Sequence, residues 1–289
     1  MVDQTPADTP IAGATFGGPP PASPERPLPL RQMGIGELID GSIKLYRRDW
    51  LALMGIVAFV LVPVTFVEAV VAQNVLGSAF ESPFPSQETA TQLLIVSLVF
   101  LAIQFLLVQP FLIAAVARAA ADAYLGERVA IGRTYRFALS RLPAILWITI
   151  LSSVLTIIGF ILLFIPGVII AIRLALAPPV FVVEDVRGTK AIGRSWRLTA
   201  GHTWRVLGTL VLSGLIATIG ASIITIPTEF IAQSMGPDGW LVSTFGSTLA
   251  SVLIEPFSML IVVLLYFDLR VRKEGYDIEV MARELAPAS

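Results

Sequence analysis

The residues best placed to do chemistry in this chain are polar side chains stranded inside apolar runs. Arg173 and Glu255 lie deepest in such runs, Gln109 stands just before a proline, and Glu68 and Glu229 sit near run ends. An unpaired polar group in hydrocarbon costs several kcal/mol, so each of these must find a partner, reach water or line a path. Two roles fit Arg173 and Glu255: a salt bridge that fastens the bundle, or the wall of a route for a solute or proton. Arg173 could also snorkel to a surface. Counted from the charged inner ends of their runs, the two reach similar depths, which predicts an ion pair. Pro110 and Pro256 each remove an amide donor, leave the carbonyls of Leu106 and Val252 without their usual partners, and so predict helix kinks.

Other chemistries drop out. The chain has no cysteine, hence no thiolate nucleophile or thiolate metal site, and its one histidine, His202, excludes a multi-histidine metal centre. The metalloprotease, nucleophile-elbow and P-loop signatures do not occur. Asp122 and Asp268 read either as an acid pair at one membrane face or as plain span ends. We expect no catalytic residue, no metal, no cofactor and no nucleic-acid partner.

A second group of residues is basic. Lys190, Arg194 and Arg197 fall at i, i+4 and i+7, on one face of a helix, with Ile192, Trp196, Thr199 and Thr203 on another. Arg133 and Arg136 in IGRTYRFALSRLP, and Lys44 and Arg48 in IGELIDGSIKLYRRDW, recur in stretches of the same construction. The pattern predicts three amphipathic interfacial helices, each leading into a span with its basic residues toward anionic phospholipid headgroups. The alternative is solvated loops whose charges only set topology.

Composition supplies the scaffold for both groups. Hydrophobic residues make up 55% of the 289, charged residues 14%, and the mean hydropathy is +0.81. Soluble domains carry about 25% charged residues. The fold class expected is all-α: a polytopic membrane protein with six spans, at about 50–72, 92–117, 143–165, 168–183, 205–228 and 241–267. The fourth is short, with a re-entrant segment as the alternative, and Pro166-Gly167 reads as the reversal before it. Residues 1–30 read as a disordered Pro-rich cytoplasmic tail, 31–275 as the membrane domain, and 276–289 as a second cytoplasmic tail.

Orientation follows from the basic residues. Five Lys/Arg precede the first span, five lie between spans two and three, five between spans four and five, and four follow span six. The other three loops contain none, so both termini are expected in the cytoplasm. An internal repeat accompanies the alternation. Ile131-Gly132-Arg133-Thr134-Tyr135-Arg136 matches Ile192-Gly193-Arg194-Ser195-Trp196-Arg197, and Gln109-Pro110-Phe111 matches Glu255-Pro256-Phe257, which aligns Asp122 with Asp268. This predicts three helical hairpins around an axis along the membrane normal. Small residues on the last two spans, Ser213, Ala217 and Ala221, then Gly246 and Ala250, are spaced for close helix contact.

PLPLRQMGIGELIDGSIKLYRRDW, GRSWRLTAGHTWRVLG, the Glu255-Pro256-Phe257 turn and YFDLRVRKEGYDIE together resemble a group of bacterial multi-pass proteins labelled glycerophosphoryl diester phosphodiesterase membrane domain, largely of unknown function. The likeness runs over about 27–280, and the last motif is its most specific part. The phosphodiesterase chemistry in that label belongs to a separate soluble barrel with paired histidines, and the resemblance does not bring it here. The expected protein is a non-enzymatic component of the bacterial cytoplasmic membrane, organising lipids or partner proteins at the inner leaflet. The alternative is a transporter or channel for a small or lipid-like solute.

Overall fold

The computed structural model describes residues 31–80, 86–186 and 188–275. The proline-rich segment and the last residues, each read above as a tail, lie outside the described residues. Among these, every regular element is helical. Helix α1 (Ile35–Phe80) bends at Asp49, whose φ of −118° and ψ of 22° leave the helical region. Helix α2 (Gln87–Ile103) continues through a π-helical turn, Gln104–Val108, into α3 (Gln109–Tyr124). Within that turn Gln109 N–H bonds the carbonyl of Gln104, five residues back, just where Pro110 has no N–H to offer.

Helix α4 (Ile131–Leu162) reverses at Leu163 into α5 (Phe164–Leu174), and α6 (Ala177–Glu184) follows after a break at Ala175–Leu176. The reversal therefore comes before Pro166-Gly167. Pro166 sits in the first turn of α5, where a missing N–H leaves no bond unmade. Gly167 closes the hairpin instead: a Cβ on Gly159 would lie 2.9 Å from its Cα. Helices α7 (Thr189–Thr199) and α8 (Thr203–Ser234) are separated by Gly201, at φ +82°. A short 3-10 turn, Gly236–Gly239, then leads to α9 (Trp240–Glu274).

Six stretches are long and apolar enough to cross a membrane: Ile35–Asn74, Gln87–Tyr124, Ile131–Leu162, Phe164–Glu184, Thr203–Ser234 and Trp240–Glu274. Large apolar side chains point outward along them, Phe59, Ile161 and Phe230 among them. That is the pattern of helices solvated by lipid rather than water. The fourth stretch spans the α5–α6 break.

The core lies where α1, α3, α6 and α9 meet. Helix α3 is alanine-rich and buried at Ala114, Ala115, Ala117, Ala119, Ala120, Ala121 and Ala123, and such small side chains let neighbours approach from several directions. Helices α8 and α9 run antiparallel, with Arg205 beside Asp268 at one end and Gly246 against Thr228 at the other. Ser213 and Ala250 are buried on them.

Candidate functional site

The basic residues sort by what surrounds them. On α1, Lys44 pairs with Asp40 at 2.8 Å. Arg48 bonds Asp49 at 2.7 Å and donates to the carbonyls of Ala123 and Glu127. On α4, Arg133 meets Glu127 at 3.1 Å and Asp122 at 3.5 Å. On α7, Arg194 lies between two carboxylates, with Nε 2.8 Å from Glu184 and Nη2 2.6 Å from Glu274. The hydrogen bond to Glu274, ahead of that to Glu184, raises the Arg194 pKa against the opposing effect of burial. Arg48, Arg133 and Arg194 are tied into the fold, whereas Lys44 stays in an exposed pair on its own helix.

Arg136, Lys190 and Arg197 are different: exposed, and joined to no carboxylate among the described residues. Lys190 and Arg197 flank Arg194 around a cavity of about 350 Å³, which Val186, Thr189 and Gly193 help to line. The face of α7 turned into the protein carries Ala191, Ser195, Leu198 and Thr199, with Ile192 packed partly buried against the core and Trp196 left outside. Trp196 is 43% exposed, and Trp204, at the start of α8, is 83% exposed. α7 thus leaves Lys190 and Arg197 exposed on one face and the Trp196 indole exposed on another.

The polar residues of the apolar stretches do not meet as expected. No ion pair joins Arg173 to Glu255. The carbonyl of Arg173, released by the break after α5, accepts the Ser195 hydroxyl at 2.7 Å and the Thr199 hydroxyl at 3.5 Å. Its guanidinium lies 5.6 Å from the Trp196 ring centroid, with Nε and Nη1 buried and without a hydrogen-bond partner. Glu255, on α9, has the Gln109 side chain of α3 as its hydrogen-bonding neighbour, while its Oε2 is buried without a partner. The reason is the break at Ala175–Leu176. It turns α6 toward α3 and α9 and leaves α5 beside α4, α7 and α8. Pro110 and Pro256 are buried next to Gln109 and Glu255. Glu68 is partly buried on α1, and Glu229 is exposed on α8, accepting the Ser243 hydroxyl at 2.7 Å.

Asp122 and Asp268 take separate arginines rather than pairing as acids. Asp122 has Arg118 at 2.9 Å as well as Arg133. Asp268 is fully buried and accepts Arg205 at 2.8 Å, Arg272 at 3.0 Å and the backbone N–H of Met33 at 2.7 Å. Arg205 and Arg272 also donate to the Met33 carbonyl. Sequence reasoning missed this knot. Its one available signal was an aspartate at the end of an apolar run with an arginine four residues on. Glu184 was missed likewise: it accepts Tyr266 Oη at 2.9 Å in addition to Arg194.

Among the described residues these features define an all-helical class of protein with six helices long and apolar enough to cross a membrane. Residues 129–269, from just before α4 to near the end of α9, are similar to a domain of unknown function, DUF7847. No solved structure matches the chain.

Proposed function

We propose that this protein is a six-span component of the bacterial cytoplasmic membrane, with both termini in the cytoplasm, that organises anionic phospholipids at the inner leaflet without catalysing a reaction. The observation that carries the reading is α7, where Lys190 and Arg197 are exposed and joined to no carboxylate among the described residues, and Trp196, next to Arg197 in the chain, is exposed as well. Cations with an indole at their side suit a headgroup layer. A protein partner recruited through the same face is part of this proposal.

The orientation rests on the alternation of basic and Lys/Arg-free loops. The amphipathic lead-in helices and the threefold hairpin repeat belong to the proposal too. Supporting the repeat, α3, α6 and α9 line one apolar cavity of about 210 Å³, and the repeat-equivalent Gln109 and Glu255 are neighbours. We also infer kinship with the glycerophosphoryl diester phosphodiesterase membrane-domain group over about 27–280, resting on the motifs quoted above.

The test is lipid retention in native-lipid discs. Each basic residue near an anionic surface contributes about 1 kcal/mol. Replacing Lys190 and Arg197 with Gln should therefore lower enrichment of phosphatidylglycerol over phosphatidylethanolamine by about 2 kcal/mol in free energy at low salt. Unchanged enrichment would remove the reading. One observation favours transport instead, namely the buried, unpartnered Glu255 Oε2 beside a π-helical turn. Solute-dependent flux in vesicles, lost in Glu255→Gln, would establish that alternative.

A further inference from the structure

The guanidinium of Arg173 is the least satisfied cation of the described residues, with Nε and Nη1 buried and no acceptor on either. Its backbone carbonyl is provided for by Ser195 and Thr199, and its guanidinium lies over the Trp196 ring, so only the N–H donors are left over. A buried donor without an acceptor carries a desolvation penalty that an anionic acceptor would remove.

Ile172, the residue before Arg173, lines an apolar groove of about 340 Å³ between α5 and α8, walled by Ile165, Val168, Ile169 and Ile172 on one side and Trp204 and Leu207 on the other. Ligand sites commonly measure about 300–1,000 Å³. Arg173 follows Ile169 by four residues, so both lie on the same face of α5, with Arg173 one turn nearer its C-terminus. Trp196, against Arg173, is joined to the groove wall by the short α7–α8 turn, and Trp204, exposed, is part of that wall. An apolar groove thus begins one residue along α5 from a cation with donors to spare, which has Trp196 against it, while Trp204 lines the groove.

We propose that this corner holds one phospholipid molecule, its phosphate on the Arg173 guanidinium and an acyl chain along the α5–α8 groove. The fork of N–H donors on a guanidinium matches phosphate oxygens, and the groove matches a hydrocarbon chain. The proposal rests on the reading of the protein as a lipid organiser and adds a bound lipid to it. It differs in chemistry from the α7 face, which selects by net charge. The Arg173 site needs a phosphate together with a chain and takes phosphatidylethanolamine as readily as phosphatidylglycerol.

Native mass spectrometry of the delipidated full chain tests it, with four probes: phosphatidylglycerol, phosphatidylethanolamine, a diacylglycerol with the same chains, and glycerol 3-phosphate. One tightly held phospholipid of either headgroup is expected, with diacylglycerol and glycerol 3-phosphate each held at least about tenfold more weakly. Arg173→Gln should weaken the retained phospholipid by about tenfold or more, and Ile169→Trp should do the same by filling the groove. Lys190→Gln with Arg197→Gln should leave this molecule in place, so loss of headgroup selectivity in that variant speaks only to the α7 reading. Diacylglycerol binding as tightly as phospholipid, or retention unchanged in Arg173→Gln, overturns the site and leaves Arg173 a cation at a helix C-terminus. If Arg173→Gln fails to fold, Ile169→Trp decides, and unchanged retention there overturns the site equally.

Discussion

Asp268, near the end of α9, accepts the backbone N–H of Met33 at 2.7 Å, joining two residues 235 positions apart. Arg205 and Arg272 complete the contact, each bonding both the carboxylate and the Met33 carbonyl. The start of α1, the start of α8 and the end of α9 are thereby held at one buried point. Removing the carboxylate leaves two arginines without their anion. Asp268→Ala should cost about 3–5 kcal/mol of stability, the usual loss when one side of a buried pair is removed. Thermal unfolding in detergent would measure it, and a melting temperature equal to wild type would show the knot to be dispensable.

Arg173 and Glu255 should behave as strangers. Their side chains face Trp196 and Gln109, on different sides of the α5–α6 break. The losses in folded yield from Arg173→Leu and Glu255→Leu should add in the double variant, within about 0.5 kcal/mol if converted to free energies. The exchange Arg173→Glu with Glu255→Arg should rescue nothing. Recovery of yield in the exchange would mean that the two residues pair in the membrane after all.

The α4–α5 hairpin depends on two glycines. A Cβ at Gly159 would sit 2.8 Å from Ile170 Cδ1 and 2.9 Å from the Gly167 Cα. Gly159→Ala should destabilise by about 1–3 kcal/mol, the cost of overpacking a close contact. Gly214→Ala, on α8 with nothing within 4 Å of the added methyl, is the matched control and should leave stability level or slightly higher. Equal behaviour of the two variants in a thermal shift assay would rule out a tight hairpin.

Orientation is open to a direct chemical test, because the chain has no cysteine of its own. Cysteine at Asp238, in the turn between α8 and α9, should react with an impermeant thiol reagent on intact cells. Cysteine at Thr189, the first residue of α7, should react only after the cells are opened. Labelling of Thr189→Cys from outside would reverse the proposed topology.

Sequence alone determined the class of this protein, because the signal is long and one-dimensional. A run of about 20 apolar residues can be counted without knowing its neighbours. The six apolar stretches follow from that count. Helix interruptions were partly legible for the same reason. Pro110 announces a local defect wherever it is placed, although whether the chain answers with a kink or a π turn depends on packing.

Pairing was decided by the tertiary structure. Depth along a span says how high a charge sits but not which way its helix faces, so Arg173 and Glu255 looked like partners while lying on differently packed helices. Only the turn of the chain at Ala175–Leu176 separates them. The same limit hid which basic residues are spent. Arg194 shares a helical face with Lys190 and Arg197 and looks identical to them in sequence. Glu184 from the preceding helix and Glu274 from the end of α9 converge on it and not on Lys190 or Arg197. Such convergence is a property of three-dimensional neighbours, and periodicity within one helix carries no record of it.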